Sequence, residues 1–230
     1  MTDTWRVWSA QMFPSPIAKA PIAYIIGAFE HAEEVAAAWD SSRATLVFIN
    51  CPNWNRDLSP WPAPACFRGG EPFAGEADRY LDKLLTVFLR RVELNIPLPV
   101  SELDDPTPPF FASRALVGVS LAGLFSLYAL YRTDLFSMCA SVSGSLWYDG
   151  FGDFISSHTM PARPEKIYLS LGDREEFTKN PRLRPVGEAT RAASAHFASL
   201  GIETKLEMNP GNHFADPVPR LIRALDWLYQ

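Results

Sequence analysis

Apolar residues along this chain follow two patterns, short continuous runs and longer stretches with helical spacing. The continuous runs, such as residues 46–49, are typical of strands buried on both faces of a sheet. In the longer stretches apolar residues recur every three or four positions, as between residues 80 and 89, which indicates an amphipathic helix. Strands are predicted at 20–29, 44–50, 114–119, 136–142, 166–171 and 203–208. Helices are predicted at 31–39, 76–92, 121–131, 186–200 and 218–229.

The predicted strands and helices alternate, and alternation at these lengths predicts βαβ units. The expected fold class is α/β, with a mostly parallel central sheet and helices on both of its faces. At 230 residues the chain has the length of one domain, which is expected to span residues 1–230. Chemistry in such sheets lies at the carboxyl ends of the strands, so the loops that follow the strands are the first places to search for a site.

Composition and charge narrow the classes of partner. The chain is 47 % hydrophobic and 20 % charged, with a net charge of −5 and no run of basic residues longer than Arg90 and Arg91. This pattern gives no electrostatic footprint for nucleic acid or for an anionic membrane. No segment approaches the roughly 18 consecutive apolar residues of a membrane-spanning helix. We therefore expect a small-molecule substrate, and the sequence leaves the oligomeric state open, a homo-oligomer included.

The cysteines bear on compartment and cofactors. Cys51, Cys66 and Cys139 are an odd number at unrelated spacings, which predicts neither a disulfide framework nor a zinc site. No metal or other cofactor is expected. The first residues lack the positive and apolar regions of a secretory signal, so a cytoplasmic location is expected.

A candidate nucleophile lies between a predicted strand and a predicted helix. The strand at 114–119 leads into Gly-Val-Ser-Leu-Ala-Gly at 118–123, and the helix follows. A serine on such a sharp turn, with small neighbours, is held out over the end of the sheet in the nucleophile elbow of α/β-hydrolases. The elbow pattern is G-x-S-x-G, and this chain has Ala122 at its second glycine, with Gly123 one position later. Alanine is the next smallest residue, so Ser120 remains the predicted nucleophile.

A hydrolytic serine needs a base. Three histidines follow Ser120 in the chain: His158 in a linker, His196 in the middle of a predicted helix, and His213. His213 lies in a loop of small residues between the last strand and the last helix, where a hydrolase base is expected. His213 is therefore the predicted base, and His196 is assigned to packing or to the surface.

The group that orients the base is expected on the loop after a strand, between the serine and the histidine. Residues 172–176 offer three carboxylates, Asp173, Glu175 and Glu176, directly after the strand at 166–171. Glu175 is the preferred acid and Asp173 the alternative. At least two of the three are then ordinary solvated charges.

An oxyanion hole needs backbone N–H groups aimed at the developing charge. Leu121, which follows the nucleophile, is expected to supply one. The loop after the strand at 44–50 is expected to supply the other, from Trp54, Asn55 or Arg56, because Pro52 has no N–H. Spacing alone does not choose among the three.

Aromatic residues fall in loops on the same predicted rim. Trp54, Trp61, Trp147 and Tyr148 either line a substrate cleft or cap the core, and the sequence favours neither reading.

Several of these segments together resemble the putative esterase family of the α/β-hydrolase superfamily, which contains esterase D, the feruloyl esterases and the enterochelin esterase-like proteins. The similar segments are 54–61, 75–81, 118–123, 143–148, 172–176 and 211–214. The family often carries Gly-Gly-His where this chain has Asn212 before His213. Its acid commonly lies three residues after a glycine, which favours Glu175. The resemblance implies an α/β-hydrolase fold and serine esterase activity, and the short segment at 147–165 predicts little or no lid.

The expected function is hydrolysis of carboxylic esters through an acyl-enzyme formed on Ser120. Acyl transfer and thioester cleavage use the same groups and remain alternatives, because the sequence does not show what resolves the acyl-enzyme. The alternative from another class is a non-catalytic binding protein that retains the fold. A binding protein would have no chemical need for a serine, a histidine and an acid in this order.

Overall fold

A seven-stranded sheet lies at the centre of the computed structural model, which describes residues 9–94, 111 and 113–230. The strand order is β1-β3-β2-β6-β7-β8-β9, and every pair of neighbours is parallel except β1 with β3. The strands are β1 (Ala10–Phe13), β2 (Ile22–Ile26), β3 (Thr45–Ile49), β6 (Arg114–Val119), β7 (Met138–Val142), β8 (Lys166–Gly172) and β9 (Glu203–Asn209). This mostly parallel sheet confirms the predicted α/β class.

Helices cover the sheet on both faces. They are α1 (Ala32–Ala38), α2 (Trp54–Asp57), α3 (Ala77–Lys83), α4 (Leu89–Leu94), α5 (Leu121–Ala129), α6 (Phe151–Ser157), α7 (Val186–Ser199) and α8 (Pro217–Leu228). A π-helical turn, Leu84–Phe88, joins α3 to α4, so the predicted helix at 76–92 is one run with a wide turn in its middle. Short 3-10 turns lie at Phe29–His31 and Glu175–Phe177.

Alternate side chains of the strands pack into two hydrophobic cores, one on each face of the sheet. On β2, Ile22, Tyr24 and Ile26 pack into the core beneath α3, α5 and α7, while Ala23 and Ile25 face α1 and α8. All five residues of β2 are buried, as expected for a strand between two layers. Burying each large side chain stabilises the folded state by about 1.5–3 kcal/mol. Packing on both faces of the sheet therefore holds the strand ends in place.

Five short elements were not predicted. The segment 51–73, predicted as a loop, contains α2 and the strand β4 (Pro62–Ala63), which pairs with β5 (Phe73–Ala74). The linker at 147–165 contains α6. The edge strand β1 pairs antiparallel with β3.

Some predicted regions lie outside the described residues, namely the first eight residues and most of the segment between α4 and β6. In the part of the chain that is described, no helix combines the length and the apolar character needed to cross a membrane.

Candidate active site

Ser120 occupies the sharp turn between β6 and α5. Its φ of 59° and ψ of −123° lie outside the regions that L residues ordinarily adopt. The turn is held on two sides, because Ser120 N–H donates to the carbonyl of Val142 at 3.0 Å and the Ser120 carbonyl accepts from Gly123 at 2.9 Å. Strain of this kind costs on the order of 1–3 kcal/mol and persists only where the surroundings enforce it.

The positions around Ser120 require small residues for different physical reasons. A Cβ on Gly118 would lie 2.5 Å from the Gly123 nitrogen and would also clash with the carbonyl of Ala122. A Cβ on Gly123 would lie 2.8 Å from Ser141 Oγ, on the neighbouring strand. Ala122 is fully buried in the core of α5. The close backbone approach therefore occurs at Gly123, which explains why the pattern accommodates an alanine before it.

The structure brings Ser120, His213 and Glu175 together, although 93 residues separate the serine from the histidine. His213 Nε2 lies 3.0 Å from Ser120 Oγ, and His213 Nδ1 lies 2.7 Å from Glu175 Oε2. An ionised carboxylate only accepts hydrogen bonds, so the Nδ1 atom carries the proton. The Nε2 lone pair is then directed at the serine hydroxyl.

Glu175 is buried, with 9 % of its surface exposed. Burial alone would raise its pKa, but the hydrogen bond and charge of His213, the N–H of Gly172 and the hydroxyl of Ser143 outweigh that effect. The pKa of Glu175 is therefore below its ordinary value, and the carboxylate is ionised at neutral pH.

The other two carboxylates of this loop are used elsewhere. Asp173 Oδ1 accepts the N–H of Gly211 at 2.8 Å, which ties the acid loop to the loop of His213. Glu176 pairs with Arg191 of α7 at 2.8 Å. The structure places neither of them against His213.

The remaining histidines lie on other elements. His158 follows α6, where its ring packs against Phe154 at 4.4 Å. His196 lies within α7, next to the buried Phe197.

Sequence reasoning missed Arg220, which lies in α8 with only 1 % of its surface exposed. Its Nη1 donates to Ser143 Oγ at 3.0 Å and contacts Glu175 Oε1 at 3.4 Å, and its Nη2 donates to the carbonyl of Pro210 at 2.8 Å. A signal was present in the sequence: Arg220 precedes Leu221 by one residue and Ala224 by four, on the apolar face of an amphipathic helix.

Two adjoining cavities open beside Ser120. The larger has a volume of about 570 Å³ and is lined by His213, Trp147, Phe177 and Phe214 among others. The smaller, of about 230 Å³, is bordered by Trp54, Asn55, Leu121 and Trp147 among others. Phe177 and Phe214 are largely exposed, so the larger cavity has an aromatic rim that is open to solvent.

The candidate cleft aromatics divide into two groups. Trp54 and Trp147 border the cavities. Tyr148 is buried and donates its hydroxyl proton to the carbonyl of Trp61 at 2.6 Å, and the two rings pack edge to face. Trp61 and Tyr148 do not border either cavity, so the core-capping reading describes them.

The candidate oxyanion donors lie at helix starts. Leu121 is the first residue of α5, while Trp54 and Asn55 begin α2. N–H groups in the first turn of a helix have no partner within that helix. All three residues border the smaller cavity together with Ser120. Arg56, the third candidate, does not border it, and its side chain pairs with Asp57.

The sheet and the loops at its carboxyl edge define an α/β-hydrolase type of protein. Residues 23–228 match the family described as "Putative esterase", and the chain belongs to that family. The match confirms the resemblance that the sequence motifs indicated. The protein is accordingly a carboxylic ester hydrolase.

Several known proteins are similar to this chain. The uncharacterized protein YbbA from Bacillus subtilis (strain 168) is 26 % identical over 192 residues, covering 80 % of this chain and 73 % of YbbA. The siderophore hydrolase EstA from Aspergillus nidulans superposes with a TM-score of 0.68 at 19 % identity, covering 96 % of this chain and 94 % of EstA. The enterochelin esterase from Shigella flexneri gives a TM-score of 0.68 at 18 % identity, covering 96 % and 54 % of the two chains. The two solved structures share the fold.

Proposed function

We propose that this protein hydrolyses small-molecule esters through an acyl-enzyme on Ser120, with His213 as general base and Glu175 as the acid that orients it. The observation that carries the proposal is the continuous hydrogen-bonded chain from Ser120 Oγ through His213 to Glu175, with distances of 3.0 and 2.7 Å. Both distances lie within the reach that proton transfer requires.

In the first half of the reaction, Ser120 Oγ attacks the ester carbonyl while His213 Nε2 takes the hydroxyl proton. The imidazolium that forms is stabilised by the Glu175 carboxylate. It then gives its proton to the leaving alcohol as the tetrahedral intermediate collapses. The serine is left acylated, and the alcohol departs through the open cleft.

The tetrahedral intermediate carries a negative oxygen, which needs donors that are already in place. The Leu121 N–H is the first proposed donor, since Leu121 follows the nucleophile and begins α5. The N–H of Trp54 or Asn55 is the second. The side chain of Asn55 is engaged with the carbonyl of Glu71 at 2.9 Å, so its backbone would act.

In the second half, water attacks the acyl-enzyme, with His213 again as the base. An alcohol or a thiol that reached the same position would give transfer in place of hydrolysis. The exposed rim of the larger cavity favours hydrolysis, because in the part of the chain that is described water reaches Ser120 past Phe177 and Phe214. The free cysteines Cys51, Cys66 and Cys139 support a reducing location, the cytoplasm.

The aromatic rim favours esters that carry an aromatic group. Phe67, Phe177 and Phe214 are exposed around the larger cavity, and Trp147 forms part of its wall. Aromatic rings pack favourably against one another. The names of the similar structures, a siderophore hydrolase and an enterochelin esterase, make siderophore esters candidates for this chain as well.

The proposal is tested by following hydrolysis of p-nitrophenyl acetate at high enzyme concentration. Wild-type protein should release a burst of nitrophenol equal to the enzyme concentration if deacylation is slow, and steady turnover otherwise. Ser120→Ala and His213→Ala should abolish enzyme-catalysed turnover, while Ser156→Ala, which changes an exposed serine of α6, should leave it intact. Turnover by Ser120→Ala at the wild-type rate would refute the proposal. Added methanol measures transfer through the methyl ester it forms.

A further inference from the structure

The proposed chemistry leaves one buried charge without a role. Arg220 is the largest fully buried side chain among the described residues. Taking a guanidinium out of water costs several kcal/mol, and only good hydrogen bonds and an opposite charge offset that cost. Two of its side-chain contacts lead to the loops of Glu175 and His213, and a third leads to Ser143, which follows β7.

One contact concerns the orientation of Glu175. Its Oε2 faces His213, while its Oε1 accepts the N–H of Gly172 at 2.7 Å and lies 3.4 Å from Arg220 Nη1. The guanidinium therefore stands behind the carboxylate, on the side away from the imidazole. A cation in this position favours the ionised carboxylate and holds its plane.

A second contact closes a small network. Arg220 Nη1 donates to Ser143 Oγ at 3.0 Å, which occupies one acceptor site of that hydroxyl. The hydroxyl proton of Ser143 is then free to bond Glu175. Ser143 itself has a positive φ of 48°, an uncommon conformation for a residue with a side chain. Arg220 and Ser143 thus both contact the carboxylate of Glu175.

A third contact anchors the loop of the base. Arg220 Nη2 donates to the carbonyl of Pro210 at 2.8 Å, three residues before His213. The loop also packs closely on Gly172, where an added Cβ would clash with the carbonyl of Gly211 and lie 3.0 Å from Arg220 Nη2. The acid loop and the histidine loop therefore meet around the guanidinium.

Other charged groups surround the same loops and have partners or positions of their own. Asp173 binds the Gly211 N–H, Glu176 pairs with Arg191, and Glu207 of β9 pairs with Arg223 and Lys205. Arg174 lines the larger cavity, and the exposed Asp216 caps α8. Within the described residues, Arg220 is the cation that contacts the carboxylate opposite His213.

We propose that Arg220 is a positioning residue of the esterase, which aligns Glu175 with His213 and fixes the loop on which His213 lies. The inference rests on the proposed function for its effect on catalysis, but its effect on the imidazole is measurable without substrate. Arg220 does not border either cavity, so it should act on the rate of the chemical step and not on the binding of substrate.

The alternative is a merely structural role, in which Arg220 only ties α8 to the sheet. Arg220→Met distinguishes the two, because methionine fills much of the same space without the charge or the donors. Without the guanidinium, Glu175 loses a group that holds the plane of its carboxylate, so the hydrogen bond from His213 Nδ1 to Glu175 Oε2 should weaken. The low-field NMR signal of that N–H proton should then broaden or move upfield. A structural tie would lower stability and leave that N–H signal in place.

The experiment records the low-field imidazole N–H signals by NMR in wild type, Arg220→Met, Arg220→Lys and Arg223→Met, with His213→Ala to assign the signal of His213. Arg223 serves as the matched control because it lies one turn along α8 and carries an ion pair with Glu207. Steady-state kinetics on the same proteins separate kcat from KM. Arg220→Met should lower kcat by about tenfold to a hundredfold, as for residues that orient metal ligands, at nearly constant KM.

Each outcome bears on the proposal. A weakened or shifted His213 N–H signal and a lower kcat in Arg220→Met, with neither in Arg223→Met, support it. An unchanged N–H signal in folded Arg220→Met, or an equal change in Arg223→Met, overturns it. Should Arg220→Met not fold, Arg220→Lys decides, since it keeps the charge but cannot reach all three acceptors: a lower kcat at constant KM supports the proposal and an unchanged kcat overturns it. If wild-type protein hydrolysed no ester, the proposed function would fail, while the N–H signals would still test Arg220.

Discussion

At the scale of single residues, the geometry separates two carboxylates that the sequence could not. Glu175 faces His213 at 2.7 Å, whereas Asp173 clamps the Gly211 N–H at 2.8 Å. The proposed role of the acid depends on which of these two carboxylates faces His213.

Glu175→Gln should therefore reduce kcat sharply. The glutamine amide keeps the shape but removes the charge that stabilises the imidazolium, and its NH₂ group favours the wrong tautomer. The matching change in a serine protease triad lowers kcat about 10⁴-fold, and a loss on the order of 10³-fold or more is expected here. Asp173→Asn, which still offers an oxygen to Gly211, should stay within a few fold of wild type. Steady-state kinetics with a short aryl ester check this, and the reverse order of effects would assign the acid role to Asp173.

The stability of the protein should depend on pH through Glu175. Its pKa in the folded state lies below its ordinary value, so folding favours the ionised form. This contribution is fully present above the ordinary pKa of about 4.5 and is lost as the pH falls through the lower folded value. Urea unfolding between pH 7 and pH 3 should thus show a steeper loss of unfolding free energy in wild type than in Glu175→Gln. Parallel curves for the two proteins would contradict the depressed pKa.

Sequence alone singled out Ser120 because it follows a strongly apolar strand and has small neighbours. It singled out His213 because that residue lies in a loop of small residues between the last strand and the last helix. It did not decide the acid, since three carboxylates occur within four residues and only side-chain direction tells them apart. It missed Arg220, because a helix pattern places a residue on a face but does not reveal what lies opposite it. Trp61 and Tyr148 share loops with the cleft residues, and only packing shows that they turn inward.

At the scale of elements, the turn between β6 and α5 is a tightly constrained junction beside the candidate site. Gly118→Ala should destabilise the protein by about 2 kcal/mol or more, since the new Cβ would meet the backbone of Ala122 and Gly123. Ala122→Gly is the matched control, because it restores the usual pattern and removes only one methyl group. Thermal unfolding of both variants checks the prediction. Equal melting temperatures for Gly118→Ala and wild type would show that the turn can relax.

Long elements were predictable and short ones were not. The strands of the sheet and helices such as α7 and α8 contain enough residues for a period to be visible. The strands β4 and β5 have two residues each, and α2 has four, so their patterns cannot be distinguished from those of a loop. The strand β1 is only partly buried, and an edge strand of four residues carries little apolar signal. One of these short elements, α2, nevertheless borders the candidate site through Trp54 and Asn55.

At the scale of the whole molecule, parallel strands bring distant loops to one edge of the sheet. Ser120 follows β6, Glu175 follows β8 and His213 follows β9, so the sheet order places the three loops at one edge, with β7 between β6 and β8. The two cores on either side fix the strand ends, and the cleft opens above them. The fold therefore sets the distances between the three loops, and the loops carry the side chains of the proposed catalytic groups.

The reactivity of the cysteines tests whether the cleft is open to solvent. Cys51 and Cys139 are buried, and burial raises the pKa of Cys51 to about 12. Cys66 is partly exposed and borders both cavities beside Ser120, although burial raises its pKa as well. N-ethylmaleimide should add once to the native protein, faster at higher pH, and three times in denaturant, as intact mass will show.

The single native adduct should also block ester hydrolysis, because the reagent would occupy the cleft. Cys66→Ser should retain activity in the presence of N-ethylmaleimide. Full activity of the singly modified wild-type protein would show that substrate does not enter past Cys66.

The most direct test of the central claim is the intact mass of the protein after incubation with a fluorophosphonate. An activated serine attacks the phosphorus and displaces fluoride, leaving a stable phosphonyl ester. One adduct on wild type and none on Ser120→Ala is the predicted result, with peptide mapping placing it on Ser120. An unmodified wild-type protein that is shown to be folded, or an adduct that persists in Ser120→Ala, would contradict the account.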